Sequence, residues 1–101
     1  MEIKEGASLN GVNVAMRPVL LEGERIWNKY GVDFVVTCGT DGEHSAGSMH
    51  YYGYAVDLRI RDFSDQEKKA VYADLKARLG LAYDVILHST HIHVEYKIGG
   101  F

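Results

Sequence analysis

The sequence has 101 residues, of which 47% are hydrophobic and 25% are charged, and its formal net charge is -3. This length predicts one domain over residues 1–101 with a single apolar core. The slightly acidic balance excludes a broad basic surface, so we expect no nucleic-acid partner. Cys38 is the one cysteine, which excludes an intrachain disulfide framework.

The amino terminus lacks an apolar segment of signal-peptide length, and no later run approaches the roughly 20 apolar residues of a membrane span. We therefore expect synthesis in the cytoplasm without a signal peptide and without membrane insertion. There is no internal repeat and no proline- or serine-rich linker. The expected form is a monomer.

The first predicted element is an amphipathic helix over about residues 13–30, where apolar side chains recur at helical spacing. Pro18 is tolerated in the first turn and Gly31 is placed to end the helix. A β-branched and aromatic run over residues 33–37 predicts a largely buried strand. Cys38 follows it and is expected to be a small buried apolar residue.

Residues 39–53 are rich in glycine and have no apolar period, which predicts an ordered loop. Residues 54–60 alternate, with apolar side chains on one face and Asp57 on the other, which predicts a strand. Gly53 would allow a close backbone approach where the loop enters this strand. Asp57 is therefore expected to project from a rigid element.

A capping-box sequence, Ser64-Asp-Gln-Glu67, predicts the start of a second helix that ends at Gly80. The apolar residues that follow it form one stripe. That stripe consists of Val71, Tyr72, Leu75 and Leu79.

Two β-rich runs, residues 83–88 and 91–96, are separated only by Ser89-Thr90, which predicts a tight hairpin although this dipeptide is not a favoured primed turn. A two-residue loop would set three cross-strand pairs on one polar face. These pairs are His88 with His91, Ile86 with His93, and Asp84 with Glu95. The opposite face would be apolar and would pack against the helices.

Three residues are candidate ligands of one catalytic zinc ion: His50, Asp57 and His93. Two imidazoles and a carboxylate leave a fourth tetrahedral position for water, as in hydrolytic zinc sites. Each element alone has a plainer interpretation, because Asp57 can be a hydrogen-bond acceptor at a strand end and His91 shares a strand face with His93 with or without metal. Their occurrence together in one short chain favours the metal site.

Two motifs carry these residues: Ser48-x-His50-x-x-Gly53-x-Ala55-x-Asp57 and His91-x-His93. Over about residues 35–96 they resemble the zinc D-alanyl-D-alanine carboxypeptidase and endopeptidase family of cell-wall enzymes, which includes phage lysins. The resemblance implies a hedgehog/D-Ala-D-Ala peptidase-like α+β fold, with a small central antiparallel sheet, two main helices and zinc on His50, Asp57 and His93. It also implies that Ser48 supports the ligand loop or the substrate, and that His91 stabilises the oxyanion or helps to move a proton.

One position departs from the family pattern. Carboxypeptidase members usually carry a catalytic Glu or Asp three positions before the last histidine ligand, and here that position is Thr90. Threonine cannot act as a general base. His91 and His88 are the substitutes that the predicted hairpin offers, because imidazole has a suitable pKa range for proton transfer. Glu95 is a third option.

The sequence thus predicts a zinc peptidase that hydrolyses peptidoglycan stem peptides, either as a D-Ala-D-Ala carboxypeptidase or as an L-Ala-D-Glu endopeptidase. A protein without a leader would act on the wall after release or delivery, as phage lysins do. Two alternatives stay open. The chain could be a catalytically weak or inactive, metal-stabilised module that binds cell-wall peptides, or a structural domain of a phage particle.

Overall fold

Five strands form one mixed sheet whose apolar face packs against two helices, in a computed structural model that describes residues 1–40 and 53–97. The elements in chain order are β1 (Glu2–Ile3), α1 (Arg17–Lys29), β2 (Val35–Cys38), β3 (Ala55–Arg59), α2 (Asp65–Leu79), β4 (Tyr83–Leu87) and β5 (His91–Tyr96). The strand order across the sheet is β1-β2-β3-β5-β4. This arrangement confirms the predicted α+β class with two main helices.

The sheet differs from the prediction at its first edge. Strand β1 was not predicted, and it runs parallel to β2, whereas the other neighbours are antiparallel. Two backbone hydrogen bonds attach it, from Glu2 N to Phe34 O at 2.7 Å and from Lys4 N to Val36 O at 2.9 Å. A two-residue strand is too short to show a sequence period, and only pairing with β2 defines it.

Helix α1 begins four residues later than residue 13, where the periodicity placed its start. The Asn13 side chain accepts a hydrogen bond from Ala15 N at 2.9 Å and opens a single 3-10 turn, Val14–Met16, before the helix. Pro18 lies in the first helical turn as expected, and Gly31 adopts a φ of 68° just after the end.

Strand β2 begins two residues later than the predicted residue 33, ends at Cys38 and contains an irregularity between Val36 and Cys38. Val36 pairs with Leu58, but Cys38 pairs with Asp57, so one extra residue of β2 faces β3. Cys38 is half-buried, which corrects the expectation of a buried apolar residue. The bulge turns it from the core side to the side of the sheet that carries Asp57.

Helix α2 confirms the capping-box prediction. Ser64 Oγ accepts from Glu67 N at 3.2 Å, and Glu67 Oε1 accepts from Ser64 N at 2.8 Å. Three of the four stripe residues are buried, Tyr72 packs at the rim of the core, and Gly80 ends the helix with a φ of 74°.

The hairpin register is also confirmed. Asp84 pairs with Glu95 and Ile86 with His93, and His88 N donates to His91 O at 2.9 Å across the two-residue loop. No residue other than glycine has a positive φ in residues 1–40 and 53–97, so Ser89-Thr90 does not form a type I′ or II′ turn. The odd-numbered positions of β4 and the even-numbered positions of β5 turn toward the core, as predicted.

The core lies between the helices and one face of the sheet. Trp27 of α1 contacts Phe34 and Phe63 edge to face, with ring centroids 5.1 and 5.5 Å apart. Its indole Nε1 donates to Arg59 O at 3.0 Å, which fixes the end of β3. With this face covered, the polar side chains of β3 and β5 occupy the opposite face of the sheet.

Helices α1 and α2 contain 13 and 15 residues, whereas a membrane span needs about 20. Within the described ranges, no helix is long and apolar enough to cross a membrane.

Candidate metal centre

Two of the three predicted zinc ligands face each other on neighbouring strands. Asp57 of β3 and His93 of β5 are direct partners in the antiparallel register. Direct cross-strand partners project to the same face, so the register alone brings the carboxylate and the imidazole together. His50 and Ser48 lie outside the described residues, and their roles stay predictions.

The two side chains form a short hydrogen bond, with Asp57 Oδ1 2.8 Å from His93 Nδ1. Each side chain is 17% exposed, so the pair is shielded but reachable from solvent. Ligand atoms that share a tetrahedral zinc ion at about 2.0–2.2 Å are roughly 3.4 Å apart. A small side-chain rotation would open the pair to that separation, and a carboxylate with an imidazole suits zinc.

Glu95 lies on the other side of the His93 ring. Its Oε1 is 2.8 Å from Nε2 of His93, and it sits two positions further along the same strand, on the same face. Histidine ligands commonly donate their second N–H to a carboxylate, which fixes the tautomer and the ring orientation. In this geometry Nδ1 faces Asp57 and Nε2 faces Glu95, so a metal ion held together with Asp57 would bind His93 through Nδ1.

The two carboxylates also change the acidity of the imidazole. The hydrogen bond that His93 donates to Asp57 raises the pKa of His93, burial opposes this, and Glu95 adds to the increase. In the absence of metal, the ring therefore stays protonated to a higher pH than an isolated imidazole, and the protonated ring donates to both carboxylates. A metal ion at Nδ1 would have to displace that proton.

His91 flanks the pair and is oriented by Thr90. Thr90 Oγ1 lies 3.1 Å from Nδ1 of His91, and the other ring nitrogen, Nε2, lies 4.0 Å from Asp57 Oδ1. The side chain is 31% exposed. Thr90 thus contacts Nδ1 of His91, and Nε2 of the same ring lies on the side of Asp57.

His88 extends the row of histidines on the polar face. Its ring stacks on that of His91, with centroids 4.6 Å apart and planes at 26°. The predicted clustering of these two rings is therefore confirmed. His88 follows the edge strand β4 and is exposed, so it lies further from Asp57 on β3 than His91 does.

Gly53 fixes the entry of the motif loop into β3. It has a φ of 79°, its carbonyl accepts from Asn13 N at 2.8 Å, and a Cβ added to it would collide with the Gly11 carbonyl oxygen. The predicted close backbone approach is confirmed. Next to it, Tyr54 packs on Tyr96 with ring centroids 6.0 Å apart.

Within residues 1–40 and 53–97, no set of three or more histidine, cysteine or acidic side chains is arranged to hold a metal ion. The described part supplies two predicted ligands, Asp57 and His93. The sequence analysis gives Glu95 only as a candidate base and does not predict that it orients His93. The spacing could have indicated this, because residues two apart on a strand share a face.

No family model matches this sequence, and no solved structure matches it. Among curated proteins, the chain is similar to the Indian hedgehog protein of Gallus gallus, with 38% identity over 69 residues. The aligned part covers 66% of this chain and 17% of that relative. The similarity thus concerns a minor part of the hedgehog protein.

Proposed function

We propose that this chain is a zinc-dependent peptidase that hydrolyses peptidoglycan stem peptides. The observation that carries the proposal is the Asp57–His93 pair, with oxygen and nitrogen 2.8 Å apart and Glu95 behind the imidazole. The two motifs that resemble the zinc D-alanyl-D-alanine peptidases supply the substrate class. The partial similarity to a hedgehog protein agrees with the kind of fold that this resemblance implies.

The residues fit a zinc ion through their chemistry. Asp57 and His93 Nδ1 would hold it, together with His50 as the motif predicts. When bound, zinc would lower the pKa of a water molecule and polarise the scissile carbonyl. The chain's own contribution is to keep His93 in one tautomer through Glu95 and to keep the ligand pair mostly shielded from bulk water.

His91 is the residue best placed to move a proton. Its Nδ1 is held by Thr90 Oγ1, which leaves Nε2 on the side of Asp57. A neutral imidazole accepts a proton near neutral pH and can return it to a leaving amine. We therefore propose that His91 performs the task that the zinc D-alanyl-D-alanine peptidases give to an acid at the position of Thr90.

A second function is favoured by the same threonine. Thr90 has no carboxyl group, and its hydroxyl is already engaged by His91. A domain with this substitution could retain the metal and hold a cell-wall peptide without cleaving it. Peptide binding without turnover would identify this binding module.

The experiment compares zinc-loaded and chelated protein with purified muropeptides, and mass spectrometry follows the products. We expect the zinc-loaded form to release D-alanine or a shortened stem peptide. This activity should be lost with chelator and should recover when zinc is added. Arg17→Gln, on an exposed position of α1, is a matched control with full activity. Absence of product from both carboxypeptidase and endopeptidase substrates would remove the enzyme proposal.

A further inference from the structure

A polar pocket of about 300 Å³ adjoins the candidate metal centre on the same side of the sheet. Six residues line it: Lys4, Thr37, Arg59, Arg61, Thr90 and His91. Three of them are cationic and two bring hydroxyl groups. The proposed function above uses only two of the six, His91 and Thr90.

The sheet register explains how these residues meet. Arg59 pairs with His91 across β3 and β5, one row away from the pair Asp57–His93. Two strand positions correspond to roughly 7 Å. Lys4 N donates a hydrogen bond to Val36 O, which places Lys4 beside the bulge in β2. Lys4 lines the side of the pocket opposite β5.

The three cations have no acidic partner in the described part of the chain. Lys4, Arg59 and Arg61 form no ion pair there, whereas Lys29 and Arg78 are paired with carboxylates on the helices. This contrast stands out because the chain as a whole carries a net charge of -3. Such a pocket lowers the free energy of an anion placed in it.

We infer that this pocket binds a carboxylate group of the peptide substrate, one or two residues from the scissile bond. The inference rests on the proposed function for the position of that bond. An extended peptide advances about 3.3–3.6 Å per residue, so a row spacing of roughly 7 Å corresponds to about two residues, and the long side chains of Arg59 and Arg61 can reach back to a carboxylate one residue nearer. The guanidinium groups of Arg59 and Arg61 offer the forked donors that carboxylates accept in pairs.

Two substrate carboxylates have this chemistry. One is the free carboxyl terminus of a stem peptide, which a carboxypeptidase must recognise. The other is the carboxylate of an acidic residue next to the scissile bond, which an endopeptidase can recognise. Both would be held by the same three cations, and the substrates described below separate them.

A binding experiment tests the pocket without catalysis. The full chain, freed of metal so that no ion can hold the carboxylate, is titrated with N-acetyl-D-alanine and with the neutral N-acetyl-D-alaninamide, and amide NMR shifts are followed. The acid should shift Thr37, Arg59 and Thr90 and bind about tenfold more tightly than the amide. Equal affinity for both compounds, or shifts confined to other residues, would overturn the inference.

Variants locate the effect. Arg59→Gln and Arg61→Gln keep polar side chains of similar length and should each weaken binding of the acid about tenfold, with little change for the amide. Arg17→Gln removes an exposed cation from α1, which packs on the other face of the sheet, and should change the affinity for neither compound. If all three variants bind the acid equally well, the pocket does not bind the carboxylate.

Turnover by the zinc-loaded protein then identifies the carboxylate. The substrates are a peptide ending in D-Ala-D-Ala, its carboxyl-terminal amide, and an amidated peptide with glutamate beside the scissile bond. A roughly tenfold higher KM in Arg59→Gln for only the first, or only the third, assigns the source. Unchanged KM values for every cleaved peptide contradict the inference. If the wild type cleaves none of the peptides, the proposed function is wrong. The titration still shows whether the pocket binds a carboxylate.

Discussion

Glu95 Oε1 lies 2.8 Å from Nε2 of His93, on the side of the ring opposite Asp57. The two residues are two positions apart on β5, so the strand itself sets their spacing. With Nε2 engaged by this carboxylate, the proposed zinc ion would bind His93 through Nδ1, in place of the proton shared with Asp57.

We predict that Glu95→Ala weakens zinc binding by about 10- to 100-fold and that Glu95→Gln weakens it less, because glutamine keeps an acceptor for Nε2–H. Competition with a coloured chelator measures the affinity, and NMR of the His93 ring reports its tautomer. Glu24→Ala, on helix α1 at the opposite face of the sheet, is the control. A Glu95→Ala protein with wild-type zinc affinity and an unchanged tautomer would exclude the positioning role.

The pH dependence of the metal-free protein follows from the raised pKa of His93. A group with a higher pKa in the folded state stabilises the fold fully below its unfolded pKa of about 6.5, and this contribution is lost as pH rises through the folded value. Urea unfolding in the presence of chelator measures the free energy of unfolding from about pH 6 to about pH 9. The difference in this free energy between the wild type and His93→Gln should decrease as pH rises. The same pH dependence in both proteins would show that His93 does not contribute in this way.

Zinc binding should show the opposite trend. Because the ion must displace the proton from Nδ1 of His93, its apparent affinity increases as pH rises through the same raised pKa. Chelator competition over the same range measures this. A pH-independent affinity would place the ion on other atoms.

Histidine variants should separate metal binding from proton transfer. His93→Ala and His50→Ala are expected to abolish zinc binding, whereas His91→Ala should keep most of it and lose turnover by about 10²- to 10⁴-fold, the usual scale for a general acid–base residue. Zinc content and muropeptide cleavage are measured on each purified variant. Equal loss of zinc in all three variants would make His91 a ligand.

Gly53→Ala tests the backbone approach at the start of β3. The substitution places a Cβ against the Gly11 carbonyl at a positive φ, and we expect a loss of about 2 kcal/mol or more in the free energy of unfolding. Gly31→Ala is the control, because Gly31 has a φ of 68° but open space around it, and it should cost about 1 kcal/mol. Equal losses would show that the close contact contributes nothing.

The sequence predicted what depends on short-range pattern. Helix α2 was defined by its capping box at Ser64, and the two-residue loop alone fixed which hairpin residues face each other. The Asp57 and His93 partnership came from family resemblance, and the register then placed both on one face.

Features that depend on contacts between distant segments were not predicted. Strand β1 has two residues and exists through its bonds to β2, and the bulge that sets Cys38 opposite Asp57 has no sequence period. The pocket likewise combines Lys4 with Arg59, which are 55 positions apart in the sequence. Only the assembled sheet brings such residues together.

The proposed function depends on one zinc ion that binds between β3 and β5. The most direct measurement is a crystal structure of the zinc-loaded protein, with anomalous scattering recorded at the zinc edge. We predict one full-occupancy peak about 2.0–2.2 Å from Asp57 Oδ1 and from His93 Nδ1, with His50 as a further ligand. A structure in which zinc is absent from that position, with the hydrogen bond between Asp57 and His93 intact, would show that these two residues are not zinc ligands.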